Sequence, residues 1–186
     1  MVCNRVNFWS TALSKREIVT LLEIGMAIEV RAVDYSDPQQ ADHFLNLLNH
    51  YSCDAMGSGE PLPDNVLSTL VEEVQKRPFF RSAIAYVDDQ PAALVNYAEG
   101  FSSFAAKPLI NIHDLVVHAD FRGRGLSHRL LEFVEKEASE IGCCKLTLEV
   151  LAENEIAKNS YRKYGFAPYQ LTEAGSAAEF WQKKLN

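Results

Sequence analysis

Two periods of apolar spacing run along this chain of 186 residues, and they assign most of its elements. Strict alternation over residues 26–33, with Ile28, Val30 and Val33 apolar between Glu29 and Arg31, predicts a strand. Asp37-Pro38 then opens a helix whose stripe is Ala41, Phe44, Leu45, Leu47 and Leu48, predicted to stop near Asn49-His50. A loop with Gly57, Gly59, Pro61 and Pro63 follows. Asp64 is predicted to cap a second helix carrying Val66, Leu67, Leu70, Val71 and Val74, stopped by Pro78. Residues 82–87 read as a strand, Asp88-Asp89-Gln90 as a hairpin turn and residues 91–98 as the returning strand. Residues 100–108 read as a loop and 109–118 as another strand. Leu126, Leu130, Val134, Ala138 and Ile141 share one face of a helix over 127–141, which Gly142 ends. A strand over 145–150, a helix over 155–164 stopped at Gly165, and strands over 166–171 and 179–184 complete the chain. The order β-α-α-β-β-β-α-β-α-β-β predicts an α/β fold: a mixed, mostly antiparallel sheet of about six or seven strands with helices on both faces.

Ahead of this pattern, Ser14-Lys15-Arg16-Glu17 has capping-box spacing, which predicts a short helix over 15–23 ending at Gly25. The expected organisation is therefore an appendage over residues 1–25 and one domain over 26–186. Composition is that of an ordinary globular chain, 47% hydrophobic and 23% charged, which excludes disorder and collagen-like repeats. A net charge of −7 argues against a duplex nucleic-acid binder and against an anionic membrane partner. No apolar run reaches the length of a signal peptide or a membrane span. Cys3, Cys53, Cys143 and Cys144 lack zinc-site spacing and suit a reducing compartment, so no metal is expected and a cytoplasmic protein is.

Chemistry concentrates in His113-Asp114-Leu115-Val116-Val117-His118-Ala119-Asp120-Phe121-Arg122-Gly123-Arg124-Gly125-Leu126-Ser127-His128. This is an apolar strand, a short turn, and two glycines opening a helix. The first-turn amides of a helix have no acceptor within it, and they converge with the positive end of its dipole. Glycine on either side lets backbone approach an anion closely. The alternative is a tight strand-to-helix turn with no ligand. A P-loop is excluded because no Lys follows Gly125, and a dinucleotide fingerprint because His128 stands where its third glycine would be.

Arg122-Gly123-Arg124-Gly125-Leu126-Ser127 resembles the Q/R-x-x-G-x-G/A signature of the GNAT superfamily of acetyl-CoA-dependent N-acetyltransferases. Downstream, Asn154 to Phe166 resembles that superfamily's N-x-x-A-x-x-x-Y-x-x-x-G-F segment. Both stand in the superfamily's order, and the likeness covers roughly residues 28–185. Ser127 departs from the usual Gly or Ala but still offers its amide. The resemblance implies a GNAT-like fold and acetyl-CoA as co-substrate. Backbone amides of Arg122, Gly123, Arg124, Gly125, Leu126 and Ser127 would hold the pyrophosphate. Leu115, Val116 and Val117 would line the acetyl-pantetheine arm, with the Val117 amide on the thioester carbonyl. Asn154 and Asn159 would bond the cofactor. Tyr161, two helical turns beyond Asn154, would protonate the leaving thiolate.

An amine acceptor must lose a proton before it attacks, and the implied base is His113, with Asp114 second. Alternation sets His113 beside Leu115 and Val117, and Asp114 beside Val116 and His118, unless a bulge intervenes. His128 is expected to be exposed. Residues 51–63 and 100–107 are the expected acceptor walls, with Phe101 and Phe104 lining the pocket and Asp54, Glu60 and Glu99 drawing a cation. A faint likeness to diamine acetyltransferases makes a small amine, polyamine-like, the first substrate expected. A protein or peptide amine is the runner-up, and a non-catalytic acyl-CoA sensor the alternative from another class. A homodimer is expected by analogy alone.

Overall fold

The computed structural model describes residues 27–169 and 181–184. The expected helix over 15–23 lies outside the described residues. Strand β1 (Ile28–Ala32) leads to helices α1 (Pro38–Cys53) and α2 (Asp64–Gln75). Strands β2 (Phe80–Val87), β3 (Gln90–Ser102) and β4 (Lys107–Val117) follow. A 3-10 turn (Ala119–Phe121), helix α3 (Leu126–Glu140), strand β5 (Leu146–Leu148) and helix α4 (Glu155–Tyr164) complete the order. The sheet runs β1-β2-β3-β4-β5, antiparallel throughout except for the parallel β4–β5 pair.

Local chemistry explains most boundaries. Asp37 caps α1 by accepting bonds from the Gln39 and Gln40 amides at 2.8 and 3.3 Å, and Pro38 holds the first turn. The helix then runs past Asn49-His50 to Cys53, because no glycine or proline stands in its way before Gly57. Asp64 is not a cap. It is the first residue of α2, after Pro63, and its carboxylate makes no capping bond. Asp88 and Asp89, at φ 49° and 62°, form the left-handed pair that a two-residue hairpin demands.

Three sequence expectations fail. The loop expected over 100–108 is a strand extension: Gly100 pairs with Leu109, Phe101 with Pro108 and Ser102 with Lys107, leaving only residues 103–106 as the loop. Cross-strand pairing there outweighs the weak strand preference of Gly and Ser. The strand over 145–150 shrinks to Leu146–Leu148. The closing strands are absent among the described residues, so the sheet has five strands there rather than six or seven. Gly165, at φ 112°, closes α4 by donating to the Arg162 and Tyr161 carbonyls, and the Phe166 amide donates to Tyr161 as well. Residues 166–169 leave that closure as irregular chain, and 170–180 lie outside the described residues.

The sheet is covered on both faces. Tyr97, Ile110, Ile112, Leu126, Leu130 and Val134 bury one layer against α3, with Tyr161 and Phe166 at its margin. Phe44, Leu47, Ile84, Tyr86, Leu94 and Val116 bury the other against α1. Residues 82–87 and 92–98 are accordingly buried at every position, which removes alternation from the middle of the sheet.

A bulge in β4 sets the geometry of everything that follows. Asn96 pairs with Asp114 and Tyr97 with Ile112, so His113 is an extra residue with no partner in β3. Ile110 and Ile112 face the α3 layer before the bulge; Leu115 and Val117 face it afterwards, while Val116 faces α1. The bulge shifts the alternation between Ile112 and His113; from His113 onward it sets His113 beside Leu115 and Val117, and Asp114 beside Val116, as expected. Pairing between β4 and β5 also ends here, at Ile112 with Leu148. Beyond this point β5 diverges, and the outer edge of β4 over residues 113–117 has no strand beside it among the described residues.

Candidate active site

Where β4 and β5 separate, a cavity of about 600 Å³ opens. Its floor is Ile112, His113 and Leu115. One wall comes from the end of α1 and the following loop, the other from residues 148–151 and helix α4. This is the place where open α/β sheets take ligands, beyond the carboxyl ends of parallel strands at the point where they part.

Tyr161 and Asn154 both reach this cavity, as their spacing requires. Burial, with the Tyr51 phenol nearby, pushes the Tyr161 phenol up to about 12. It therefore stays protonated at neutral pH and can donate a proton. Its ring packs edge-on against Phe166 at 5.9 Å between centroids. Asn154 is also the cap of α4, its Oδ1 accepting from the Ala157 amide at 3.0 Å, which leaves the Nδ2 hydrogens for a ligand. Asn159 does not join them. Five residues on, it is rotated by about 140° around the helix, and its oxygen accepts from Arg162 at 2.9 Å.

His113 projects from the bulge into the cavity, stacked on Phe80 at 6.2 Å and 22° between planes. Asp114 turns toward the α1 layer. Its Oδ2 accepts from Asn96 Nδ2 at 2.9 Å; Asn96 Oδ1 accepts from Ser82 at 2.5 Å, and Ser82 Oγ lies 2.6 Å from the Tyr35 hydroxyl. The carboxylate can only accept, which fixes the amide and orients each donor in turn, from Tyr35 through Ser82 and Asn96 to Asp114. Asn96 and Ser82 are the buried polar residues of the described core, and this chain satisfies both.

The glycine cradle lies between the 3-10 turn and α3. Gly123 and Gly125 adopt φ 78° and 76°, and Gly125 is the residue on which α3 begins. A Cβ built at either would meet nothing within 4 Å, so conformation demands glycine here and open space lies over the loop. Leu126 anchors the turn in the core, and the Leu126 and Ser127 amides head the helix. His128 is not exposed as expected: its Nε2 lies 3.3 Å from the Ser160 carbonyl and ties α3 to α4. Arg122 donates through Nε to the Val117 carbonyl at 3.2 Å and pairs with Asp54 at 2.6 Å. Arg124 lies over the Phe121 ring and donates to the Asp120 carbonyl at 3.2 Å.

The acceptor side divides against expectation. Tyr51, Ser52, Met56, Gly57, Ser58 and Leu62 do line the cavity. Phe101 and Phe104 do not: extension of the β3–β4 hairpin carries them away from it, and both are exposed. Asp54 is occupied by the Met56 amide and by Arg122, which hold its carboxyl below the usual range. Glu99 pairs with Arg81 at 3.5 Å, and Glu60 is exposed outside the lining. The carboxylate that does line the cavity is Glu149, which accepts from Asn111 Nδ2 at 3.2 Å. Sequence reasoning missed it. Its place at the end of the parallel strand, just before the Asn154 segment, was the available signal.

A family model described as acetyltransferase (GNAT) matches residues 44–166. The chain belongs to this family. A 56-residue stretch is 38% identical to an uncharacterized N-acetyltransferase, YdgE, of Bacillus subtilis (strain 168); it covers 30% of this chain and 36% of that protein, about a third of its length. Among solved structures, the aminoglycoside N-acetyltransferase AAC(6')-Iy in complex with CoA superposes with a TM-score of 0.67 at 18% identity, over 87% of this chain and 97% of that one. A ribosomal-protein-alanine N-acetyltransferase from Brucella melitensis biovar Abortus 2308 gives 0.61 at 18% identity, over 86% and 99%. Both likenesses concern the fold. Among the described residues no helix is long and apolar enough to cross a membrane.

Proposed function

We propose that this chain transfers the acetyl group of acetyl-CoA directly to the primary amine of a small molecule. The observation that carries this reading is convergence. A buried protonated phenol lines one cavity with Asn154 and His113 beside the outer edge of β4, and the glycine-framed terminus of α3, outside that lining, is tied to the phenol's helix α4 through His128 and Ser160. The residues present fit the co-substrate: open space over Gly123 and Gly125 admits the pyrophosphate to the amides of residues 122–127. The outer edge of β4 over Leu115, Val116 and Val117, with no strand beside it among the described residues, suits the amide groups of the pantetheine arm as it would suit an added strand.

In the reaction the amine nitrogen bonds to the acetyl carbon and the carbon–sulfur bond breaks. The proton lost by the ammonium passes to His113, which touches the cavity; Asp114, turned toward α1, is less well placed. Tyr161 gives its proton to the departing thiolate, and the second proton, released by the acylated nitrogen, restores the phenol. The Val117 amide donates to the carbonyl oxygen as charge develops there. We read the chain as cytoplasmic, since the free thiols of Cys53, Cys143 and Cys144 suit a reducing compartment. A homodimer is part of the same proposal, and sedimentation velocity decides it.

Calorimetry with acetyl-CoA, followed by thiol release against amines and short peptides, tests the reading. Binding and release with a small amine support it. Release only with peptides moves the acceptor to a protein amine. Binding without release makes the chain a sensor, and absence of binding overturns the cradle.

A further inference from the structure

The wall that would face the acceptor is apolar and built in advance. Leu48, Met56 and Leu62 line it, and Val150 and Leu151 continue it at the mouth, 39% and 53% exposed. Exposed apolar side chains gathered at a concave mouth mark a ligand surface. The loop carrying this wall is fixed. The Leu62 amide donates to Asn49 Oδ1 at 2.8 Å, and Ser52 Oγ donates to the Glu60 carbonyl at 2.7 Å. A Cβ on Gly57 would fall 2.2 Å from the Tyr51 carbonyl, so loop and helix touch through backbone.

Charge in this wall is sparse. Among the described residues that line the cavity, Glu149 is the one carboxylate, and no Lys or Arg is among them. The acids nearby are engaged elsewhere, Asp54 with Arg122 and Asp114 with Asn96. Resting on the acetyl-transfer reading above, we infer that the acceptor is a primary amine with a single cationic centre on an apolar body. Its ammonium meets Glu149 beside His113, and its body lies on Leu48, Met56 and Leu62. A polyamine or an aminoglycoside would leave further ammonium groups against Leu and Met with no partner, which is costly away from water. This departs from the polyamine-like acceptor that the likeness to diamine acetyltransferases suggests, and Asp54, Glu60 and Glu99, expected to draw a cation, do not line the cavity.

The experiment uses the full chain at saturating acetyl-CoA and reads thiol release. Hexylamine and 2-phenylethylamine represent the proposed class. Ethanolamine keeps one cation without the apolar body, and spermidine and kanamycin carry several cations. The expected kcat/KM is roughly 10-fold or more higher for the first two than for the other three, since one methylene in an apolar pocket is worth 10-fold or more. Met56→Asp should narrow the gap between 2-phenylethylamine and spermidine at least 10-fold. Glu149→Gln should lower kcat/KM for both apolar amines with acetyl-CoA affinity unchanged. Spermidine or kanamycin leading the panel, or a Met56→Asp protein that folds and keeps the wild-type ranking, would overturn the inference and leave acetyl transfer standing. No thiol release with any amine, while calorimetry shows acetyl-CoA bound, would overturn both.

Discussion

Tyr161→Phe removes one oxygen atom and isolates what that atom does. The hydroxyl makes no hydrogen bond among the described residues, while the ring packs on Phe166 and lines the cavity. Phenylalanine keeps that packing, so stability at neutral pH should change by less than about 0.5 kcal/mol. Catalysis should change far more. Proton donation by a positioned acid contributes roughly 10²–10⁴-fold, so kcat should fall by that factor while the Kd for acetyl-CoA stays within about twofold. The raised pKa adds a second signature. The move from 10.0 to about 12 favours the neutral phenol by roughly 3 kcal/mol. The unfolded phenol ionises first, so this group's share of stability is present below pH 10 and is lost as pH rises toward 12. Wild type should therefore lose more stability than Tyr161→Phe between pH 9.5 and 11.5 in urea titrations. The kcat of wild type should also hold up through pH 10, where an ordinary tyrosine acid would already be failing. A kcat within twofold of wild type, or a Kd weakened tenfold, would remove Tyr161 from the role of acid.

Gly125→Ala puts a Cβ at φ 76°, which costs about 1–2 kcal/mol even in open space; a lowered melting temperature with weakened acetyl-CoA binding is expected, and unchanged values for both would refute the cradle geometry. Asn96→Leu takes the acceptor from the Ser82 hydroxyl and the amide donor from the Asp114 carboxylate, so urea unfolding should show a loss of about 1–3 kcal/mol, larger than for Asn96→Gln if the longer amide still bridges them. His50 stacks on His118 at 4.2 Å between centroids, and its buried Nε2 has no partner. Burial, with His118 and Arg122 close by, lowers its pKa, so the folded protein resists protonation and should lose stability as pH falls below about 6.5. His50→Phe keeps the stacking and should flatten melting temperature against pH between 6.5 and 5. Leu130→Ala, at the buried centre of α3, should cost about 2–5 kcal/mol without altering substrate ranking.

Local rules were legible where local chemistry decides. Asp37-Pro38, Asp88-Asp89, Gly125 and Gly165 each sit at a boundary their residue type dictates, and α4 was readable end to end. The two-glycine turn into α3 and the Asn154–Tyr161 spacing were equally plain, because one lies on a single strand–turn–helix and the other on one helix face. Long-range pairing was not legible. Gly100 and Ser102 look like loop residues, and only Leu109 and Lys107 opposite make them strand. That misreading carried Phe101 and Phe104 into a pocket they do not reach. Asp54 shows the same limit from the other side: nothing along the chain shows that Arg122 engages it. Glu149 had only its place before the Asn154 segment to mark it, since its position in the cavity depends on where β5 leaves β4 and on Asn111 one strand away.

His113 is one residue of surplus in a strand that is regular on either side of it. Without it, Ile112 would stay opposite Tyr97 and Asp114 opposite Asn96. Leu115 and Val117 would keep the α3 layer, and Val116 the layer against α1. A chain lacking residue 113 should therefore fold, in a deletion library selected for folding. Deletion of Leu115 should not, because it turns Val116 and Val117 to the wrong faces. What the first deletion removes is the imidazole in the cavity and the added twist a bulge gives at the point where β4 and β5 part. The fold can spare this residue, and the chemistry is what keeps it.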